Sequence, residues 1–312
     1  MADPCTGVGD PKTGGREFTV TIRWGSVCPS RTGSALCTAE VHVLQGRVAV
    51  VTGGAQGIGA AVVRLLVSQG ARICAADLDA ELLEDLRAEV GGDRVLTVAG
   101  DLADPLQPRR VFERAVDHFG DVDILVNNAG YFWDAPVHRM TDDQFTAMLE
   151  IHALVPFRLM REALSRWRPV AKKEAESGAP RRRKIVNVSS RAALVGLPGA
   201  ANYAAGKAAL IGLTRSAARE NARLGVNVNA VAFGAVDTRF GRPVQEGTVL
   251  ETGGRSVPLG LGENAQAQAG AQRRYRSQSG RAATPEEAAA AVFHLCSPLS
   301  DLINGEVVQV NG

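Results

Sequence analysis

The stretch "VTGGAQGIGA" (51–60) decides how this chain must fold. Just before it, "RVAVVTG" from residue 47 is a short, unbroken apolar run, as expected of a strand buried on both faces. Just after it, "GIGAAVVRLLVSQG" carries its apolar residues at helical spacing and stops at Gly70. A glycine turn in that place can be nothing more than a tight connection. It can also bring backbone up to a pyrophosphate, with the helix N-terminus facing the negative charge. Its position at the first strand–helix junction favours the second reading, with Gly53, Gly57 and Gly59 giving the sharp turn, the close approach and the tight helix packing.

Outward from that turn the chain alternates. "ARICAADL" reads as a second buried strand, "DAELLEDLRAEV" as an amphipathic helix and "RVLTVAGDL" as a third strand. A helix near 105–119, the strand "DILVNNAG" and a long helix after "TDDQ", N-capped by Thr141, come next. The strand "KIVNVSS", a helix holding Tyr203, the strand "VNVNAVAFG", a long loop, a helix opened by "TPEE" and the strand "GEVVQVNG" complete the series. Thr284 caps that last helix, and Glu287 completes a capping box. Such alternation predicts an α/β fold, a single doubly wound parallel sheet of Rossmann-like form with helices on both faces.

Residues 1–44 are rich in Gly, Pro, Thr and Ser, with "EFTVTIRW" as the one possible strand. They read as a poorly ordered extension that is dispensable for folding, ahead of one domain over 45–312. The loop at about 235–282, rich in Gly, Ala, Gln and Arg, is expected to wall the pocket and, at least in its first part, to close as a mobile lid over cofactor and substrate; the alternative, favoured over 263–280, is a solvated, disordered insertion.

Composition excludes several classes of function. Of 312 residues, 45% are hydrophobic and 22% charged, and the net charge of +2 names no partner. The basic run "RRRK" (181–184) follows a polar stretch and reads as a solvated loop, so no nucleic-acid partner is expected. No apolar run approaches the ~18 residues of a membrane span, and the first residues lack the pattern of a signal peptide. The expected compartment is the cytoplasm. The five cysteines show no zinc-like spacing, so no metal site is expected and they read as free or buried thiols.

Asp77 comes eighteen residues after Gly59, at the end of the second strand. A carboxylate there accepts hydrogen bonds from the adenosine ribose hydroxyls and repels a 2′-phosphate. Ala55 and Gln56 stand where a basic residue would greet that phosphate, so NAD(H) is expected over NADP(H). The alternative for Asp77 is a helix N-cap. Farther on, "ANYAAGKAAL" (201–210) places Tyr203 and Lys207 one helical turn apart, and Ser190 ends a strand thirteen residues before Tyr203. Taken singly, these could be an exposed helical pair and a strand-end cap.

Together, T-G-x-x-x-G-x-G (52–59), "NNAG" (127–130) and S-x12-Y-x3-K (190, 203, 207) resemble the short-chain dehydrogenase/reductase family. The resemblance covers about residues 45–312. Within the family it is nearest to 3-oxoacyl-(acyl-carrier-protein) reductases and 3-hydroxyacyl-CoA dehydrogenases. It implies that Tyr203 exchanges a proton with the substrate oxygen, that Ser190 hydrogen-bonds that oxygen, and that Lys207 also holds the nicotinamide ribose. It also implies a homodimer or homotetramer built on helices near 142–164 and 202–220. The cofactor set that follows is Thr52, Gly53, Gln56, Gly57, Ile58, Gly59, Asp77, Asp101, Leu102, Asn128, Ala129, Gly130, Tyr203, Lys207, Gly234 and Thr238. Of these, Asp101 is matched to the acid that contacts adenine. Asn127, beside Asn128, helps hold the central sheet.

A role for the Tyr–Lys pair then follows. Lowering a phenol from about 10 to about 7 takes roughly 4 kcal/mol. An ammonium at about 4 Å supplies about as much at an effective dielectric near 20. The chain departs from the family at two places. His152 stands where an asparagine usually supports a proton-relay water; it can hold that water itself or merely pack. Phe233-Gly234 replaces the usual Pro-Gly.

The substrate pocket is expected from Tyr131, Phe132, Trp133, Leu194 and Phe240, which suit an apolar or acyl substrate. The expected activity is interconversion of a secondary alcohol and a ketone, such as a 3-hydroxyacyl or 3-oxoacyl thioester on coenzyme A or acyl carrier protein, a polyketide or a steroid. The alternative is a catalytically silent dinucleotide-binding regulatory or scaffold protein.

Overall fold

A computed structural model describes residues 42–178, 181–239, 249–258 and 280–311. The fold is built on seven parallel strands: β1 (Val48–Thr52), β2 (Arg72–Asp77), β3 (Val95–Ala99), β4 (Ile124–Asn127), β5 (Arg183–Ser190), β6 (Val226–Phe233) and, after a short two-stranded hairpin, β9 (Val307–Val310). Their spatial order is β3-β2-β1-β4-β5-β6-β9. The strand order reverses between β1 and β4, so a crevice opens at the carboxyl ends of those two strands. The doubly wound sheet expected from the alternation is therefore present. The strands formed where apolar runs were long enough to be buried on both faces; β1 and β6 are buried along their whole length.

Helices α1 (Gly57–Ser68), α2 (Ala80–Val90), α3 (Gln107–Phe119), α4 (Asp142–Leu149), α5 (Val155–Glu176), α6 (Ala192–Val195), α7 (Ala201–Asn221) and α8 (Pro285–Cys296) cover the sheet. One core cluster joins residues of α3, α5 and α7 to one face, and a second joins α1, α2 and α8 to the other. Thr141 and Thr284 each form the capping box, with Gln144 and Glu287 in the third helical position.

Four features differ from the sequence expectations. Leu44 lies inside the stretch read as an extension, yet it is 1% exposed and its amide donates to the Gln69 carbonyl, so the folded unit begins at Val43. Residues 1–41, with the possible strand at 17–24, lie outside the described residues. The long helix after Thr141 is broken by a π-helical turn, Glu150–Leu154. Pro156 has no N–H to give the carbonyl of His152, four residues earlier, and the ladder slips by one residue there.

The basic run is no solvated loop either. Arg183 and Lys184 open β5 and are buried. Glu174 accepts two hydrogen bonds from Arg183 (2.8 and 3.0 Å), and Lys184 pairs with Asp301 at 2.7 Å. Asp123, itself buried, accepts from both Arg47 and Arg181. Finally, the long loop contains an antiparallel hairpin, β7 (Val249–Thr252) and β8 (Arg255–Pro258).

Candidate active site

The glycine turn is held from behind. Thr52 is buried at the end of β1, and its hydroxyl donates to the Val126 carbonyl and accepts from the amides of Asn128 and Ala129. The Asn128 amide group donates to the carbonyls of Thr52 and Gly53, both at 3.0 Å. Gly53 and Gly57 have φ of 63° and 56°, a region that favours glycine. At Gly59 a Cβ would overlap the Gly53 carbonyl. Asn127 is turned into the sheet, where its amide donates to Asn187 at 2.7 Å. A dinucleotide fits this cradle: it is an open backbone turn at a helix N-terminus, shaped by positions where no side chain has room.

A cavity of about 430 Å³ runs from this turn across the crevice. It brings together Gly53, Gln56, Gly57, Ile58, Asp77, Asp101, Leu102, Asn128, Ala129, Gly130, His152, Ser190, Tyr203, Lys207, Gly234 and Thr238. Thr52 and Gly59, expected in the same set, do not line it and act from the second layer. Of the expected substrate wall, Tyr131 and Phe132 are present, while Trp133 and Leu194 are not. Leu194 is 40% exposed on α6, and Phe240 lies outside the described residues. Phe233, noted at the Pro-Gly position, lines the cavity, as do Leu250 and Thr252 of the loop expected over the substrate; Leu197 also lines it, and no sequence pattern had pointed to it.

At the adenosine end, Asp77 accepts the Ala55 amide at 3.0 Å and the Leu78 amide at 2.7 Å. The N-cap of α2 is Asp79, which accepts the Leu82 amide, so Asp77 is not the cap. Asp101 is more heavily engaged. It accepts the Ala103 amide, the Thr252 hydroxyl and the Gly253 amide at 2.9, 2.9 and 2.7 Å.

At the other end, β5 and α7 are tied together by two bonds. The Lys207 ammonium donates to the Val188 carbonyl at 2.7 Å, and the Ser189 hydroxyl donates to the Lys207 carbonyl at 3.0 Å. Ser190, the next residue, hydrogen-bonds the Tyr203 hydroxyl. The Tyr203 ring lies between Phe132 and His152, with centroids 5.0 and 4.9 Å away. His152 is fully enclosed in the π turn, and its Nε2 is 2.9 Å from the Tyr131 carbonyl. A carbonyl only accepts, so Nε2 carries the proton and Nδ1 keeps a lone pair. Nδ1 has no hydrogen-bond partner among the described residues. Two glycines make room for the ring: a Cβ on Gly130 would stand 2.5 Å from its Cε1, and one on Gly206 would stand 3.0 Å from its Cβ.

The electrostatics differ from the simple pair expectation. Burial lowers the Lys207 ammonium from 10.5 to about 7. Burial raises the Tyr203 phenol to about 12, opposed by the Ser190 hydrogen bond. The Lys207 nitrogen sits 5.8 Å from the Tyr203 ring centroid, so desolvation outweighs the pair attraction. Burial, and then the Lys207 charge, holds His152 well below the usual histidine range, and the ring is neutral. This arrangement can present a protonated phenol, a serine hydroxyl and a cation or amine to one small oxygen atom beside a dinucleotide cradle.

The family model described as short chain dehydrogenase matches residues 47–248. The chain is 35% identical over 272 residues to a 3-oxoacyl-(acyl-carrier-protein) reductase of Vibrio cholerae, covering 86% of this chain and 97% of that one. It is 34% identical over 271 residues to D-threitol dehydrogenase of Mycolicibacterium smegmatis, covering 86% and 93%. Among solved structures, a short-chain dehydrogenase/reductase of Brucella melitensis, titled glucose/ribitol dehydrogenase, superposes with a TM-score of 0.69 at 26% identity. That match covers 86% of this chain and 97% of the other. No helix among the described residues is long and apolar enough to cross a membrane.

Proposed function

The chain belongs to the short-chain dehydrogenase family, and from that premise we propose that it is an NAD(H)-dependent oxidoreductase interconverting a secondary alcohol and a ketone. One observation carries this reading: Ser190, Tyr203 and Lys207 line the same cavity as the glycine turn. The nicotinamide, when bound, supplies or takes up the hydride.

The rest is the work of this chain's own residues. In the reducing direction the Tyr203 hydroxyl, protonated across the neutral range, gives its proton to the carbonyl oxygen. The Ser190 hydroxyl holds that oxygen as negative charge grows on it. Lys207, as an ammonium, steadies the phenolate left behind and binds ribose hydroxyls. Tyr131, Phe132, Ile151 and Leu197 give the cavity an apolar flank. Apolar lining suits a 3-oxoacyl or 3-hydroxyacyl thioester or a similar ketone better than a bare polyol. NAD(H) is favoured over NADP(H) by the Asp77 carboxylate, with Ala55 and Gln56 opposite it. Phe145 on α4, Leu154 at the end of the π turn and Phe157 on α5, apolar and part-exposed, support a homodimer or homotetramer through that face.

Reduced NADH and a series of ketones and 3-oxoacyl thioesters should give loss of the reduced-cofactor absorbance. Tyr203→Phe keeps the ring and should lower turnover by at least ~100-fold, with NADH binding nearly unchanged. Near-normal turnover in that variant would overturn the assignment. Wild-type protein that binds NADH but reduces no ketone would favour a silent binding protein instead.

A further inference from the structure

The hairpin of β7 and β8 lies within a stretch whose sequence suggested only a mobile lid, yet it is tied down at three places. At its turn, where Gly253 and Gly254 have φ of 57° and 72°, the Thr252 hydroxyl and the Gly253 amide both donate to Asp101. Asp101 follows β3, beside Asp77: the Gly100 amide donates to the Asp77 carbonyl at 2.9 Å. On its other side, Arg255 forks between two acids. Its Nε donates to Asp143 at 2.6 Å and its Nη1 to Glu150 at 3.0 Å. Asp143 is in the first turn of α4 and Glu150 opens the π turn that carries His152. Beneath, Val257 is fully buried in the core cluster that also contains Leu102 and Tyr131. The hairpin thus bridges the end of β3 and the start of α4, and Leu250 and Thr252 form part of the cavity wall there.

The buried ion pairs of Arg183, Lys184 and Asp123 are paired acid to base and do not line the cavity. The part-exposed apolar side chains of α4 and α5 belong to the oligomer face already proposed. The His152 ring deepens the catalytic set without adding to it.

On the dinucleotide reading above, we propose that this hairpin is a clasp over the adenosine end of the cleft and that Arg255 is the positioning residue that holds it closed. Two acids that would otherwise repel an anionic cofactor, Asp143 and Glu150, are used up by Arg255. Asp101, matched by resemblance to the adenine contact, is held in place by the hairpin turn. Removing Arg255 frees Asp143, leaves Glu150 with only its 4.0 Å contact to Arg158, and lets the hairpin populate open positions. The apparent affinity then falls by the fraction of time the clasp is open.

Binding of AMP, NADH and nicotinamide mononucleotide is measured by calorimetry on the intact chain, with no turnover required. Arg255→Ala should weaken AMP and NADH together by roughly tenfold, as expected if the closed clasp falls to about a tenth of the population. Nicotinamide mononucleotide should bind as in wild type, because it does not reach the adenosine end. Arg255→Lys keeps the charge but loses the fork, and should recover part of the affinity. Thr252→Val, nearly the same in shape, should weaken AMP in the same direction by a smaller factor, and serves if Arg255→Ala does not fold. AMP binding unchanged in Arg255→Ala and Thr252→Val would overturn the clasp. So would an equal loss of AMP and nicotinamide mononucleotide, which is what general loosening produces. Failure of the dinucleotide reading itself looks different: wild-type protein would then bind neither AMP nor NADH.

Discussion

Lys207→Met should make this protein more stable while abolishing its turnover, and the size of the gain should depend on pH in a defined way. Lys207 is 5% exposed, and among the described residues its ammonium has one hydrogen-bond partner, the Val188 carbonyl. Burial brings it down from 10.5 to about 7. The unfolded chain therefore keeps this proton up to about 10.5, whereas the folded chain gives it up near 7. Between those values the unfolded state binds one more proton, so wild-type stability from this group rises with pH. At and below pH 7 the burial penalty is complete, and above about 10.5 it is gone. At ~1.36 kcal/mol per unit, the full penalty is at most about 5 kcal/mol. Methionine fills similar space without a charge. The variant should thus gain up to about 5 kcal/mol at pH 6, and the gain should shrink by about 1.4 kcal/mol for each unit above pH 7.

Urea unfolding of both proteins at pH 6, 8 and 9.5 gives the difference directly. Taking the difference also removes the titrations common to both, such as the Cys74 and Cys296 thiols that burial raises to about 12. Equal stabilities at pH 6, or a gain that does not change with pH, would show that the ammonium is not penalised by burial. The account of the cavity's electrostatics would then be wrong.

Two further outcomes are expected. Asp77→Ser should narrow the preference for NADH over NADPH by roughly tenfold or more, and should cost about 1 kcal/mol of stability because the Ala55 amide loses its acceptor; a wild-type enzyme that prefers NADPH would refute the role given to Asp77. Gly130→Ala sets a methyl group 2.5 Å from the His152 ring, which the Tyr131 carbonyl and the Tyr203 ring hold in place, so it should cost about 1–3 kcal/mol and lower kcat together with kcat/KM. Unchanged unfolding and kinetics would mean that the ring can step aside.

How much of this was legible in the sequence depended on how local each cause was. The inner parallel strands were readable because burial on both faces demands continuous apolar runs such as "RVAVV", and the outer β3 and β9, only partly buried, were readable from their place in the alternation. The N-cap at Thr141 and the capping box at Thr284 were readable because all of their parts lie within four residues; the box that Gln144 completes at Thr141 was not read. Tyr203 and Lys207 were readable because α7 spaces them by one turn. The π turn was not read: the stretch reads as one long helix although Pro156 stands in it. The hairpin had almost no local signal. "VLET" and "RSVP" do not alternate cleanly, and their anchors Asp101, Asp143 and Glu150 lie far away in the chain. "RRRK" looked solvated because two of its acids, Asp123 and Asp301, are remote in the chain, and Glu174, nine residues before Arg183, reads as part of a polar stretch.

The same distinction governs the reacting groups. Sequence spacing brings an ammonium beside a phenol, and Coulomb attraction alone then pulls the phenol down toward neutrality. The fold adds what spacing cannot carry, the loss of water around both groups, and in this chain that is the larger effect. Tyr203 is left protonated and Lys207 is left close to its point of half-titration near neutral pH. His152 remains neutral, so it brings no competing charge to Lys207. A phenol in that state is a ready acid for ketone reduction. Working as the base for alcohol oxidation, however, requires more positive charge than the chain supplies by itself. An oxidised nicotinamide carries such a charge and a reduced one does not. Without that charge these residues favour reduction; because the oxidised nicotinamide lowers the phenol and the reduced one does not, alcohol oxidation should reach its half-maximal rate at a lower pH than the one at which ketone reduction has lost half of its own.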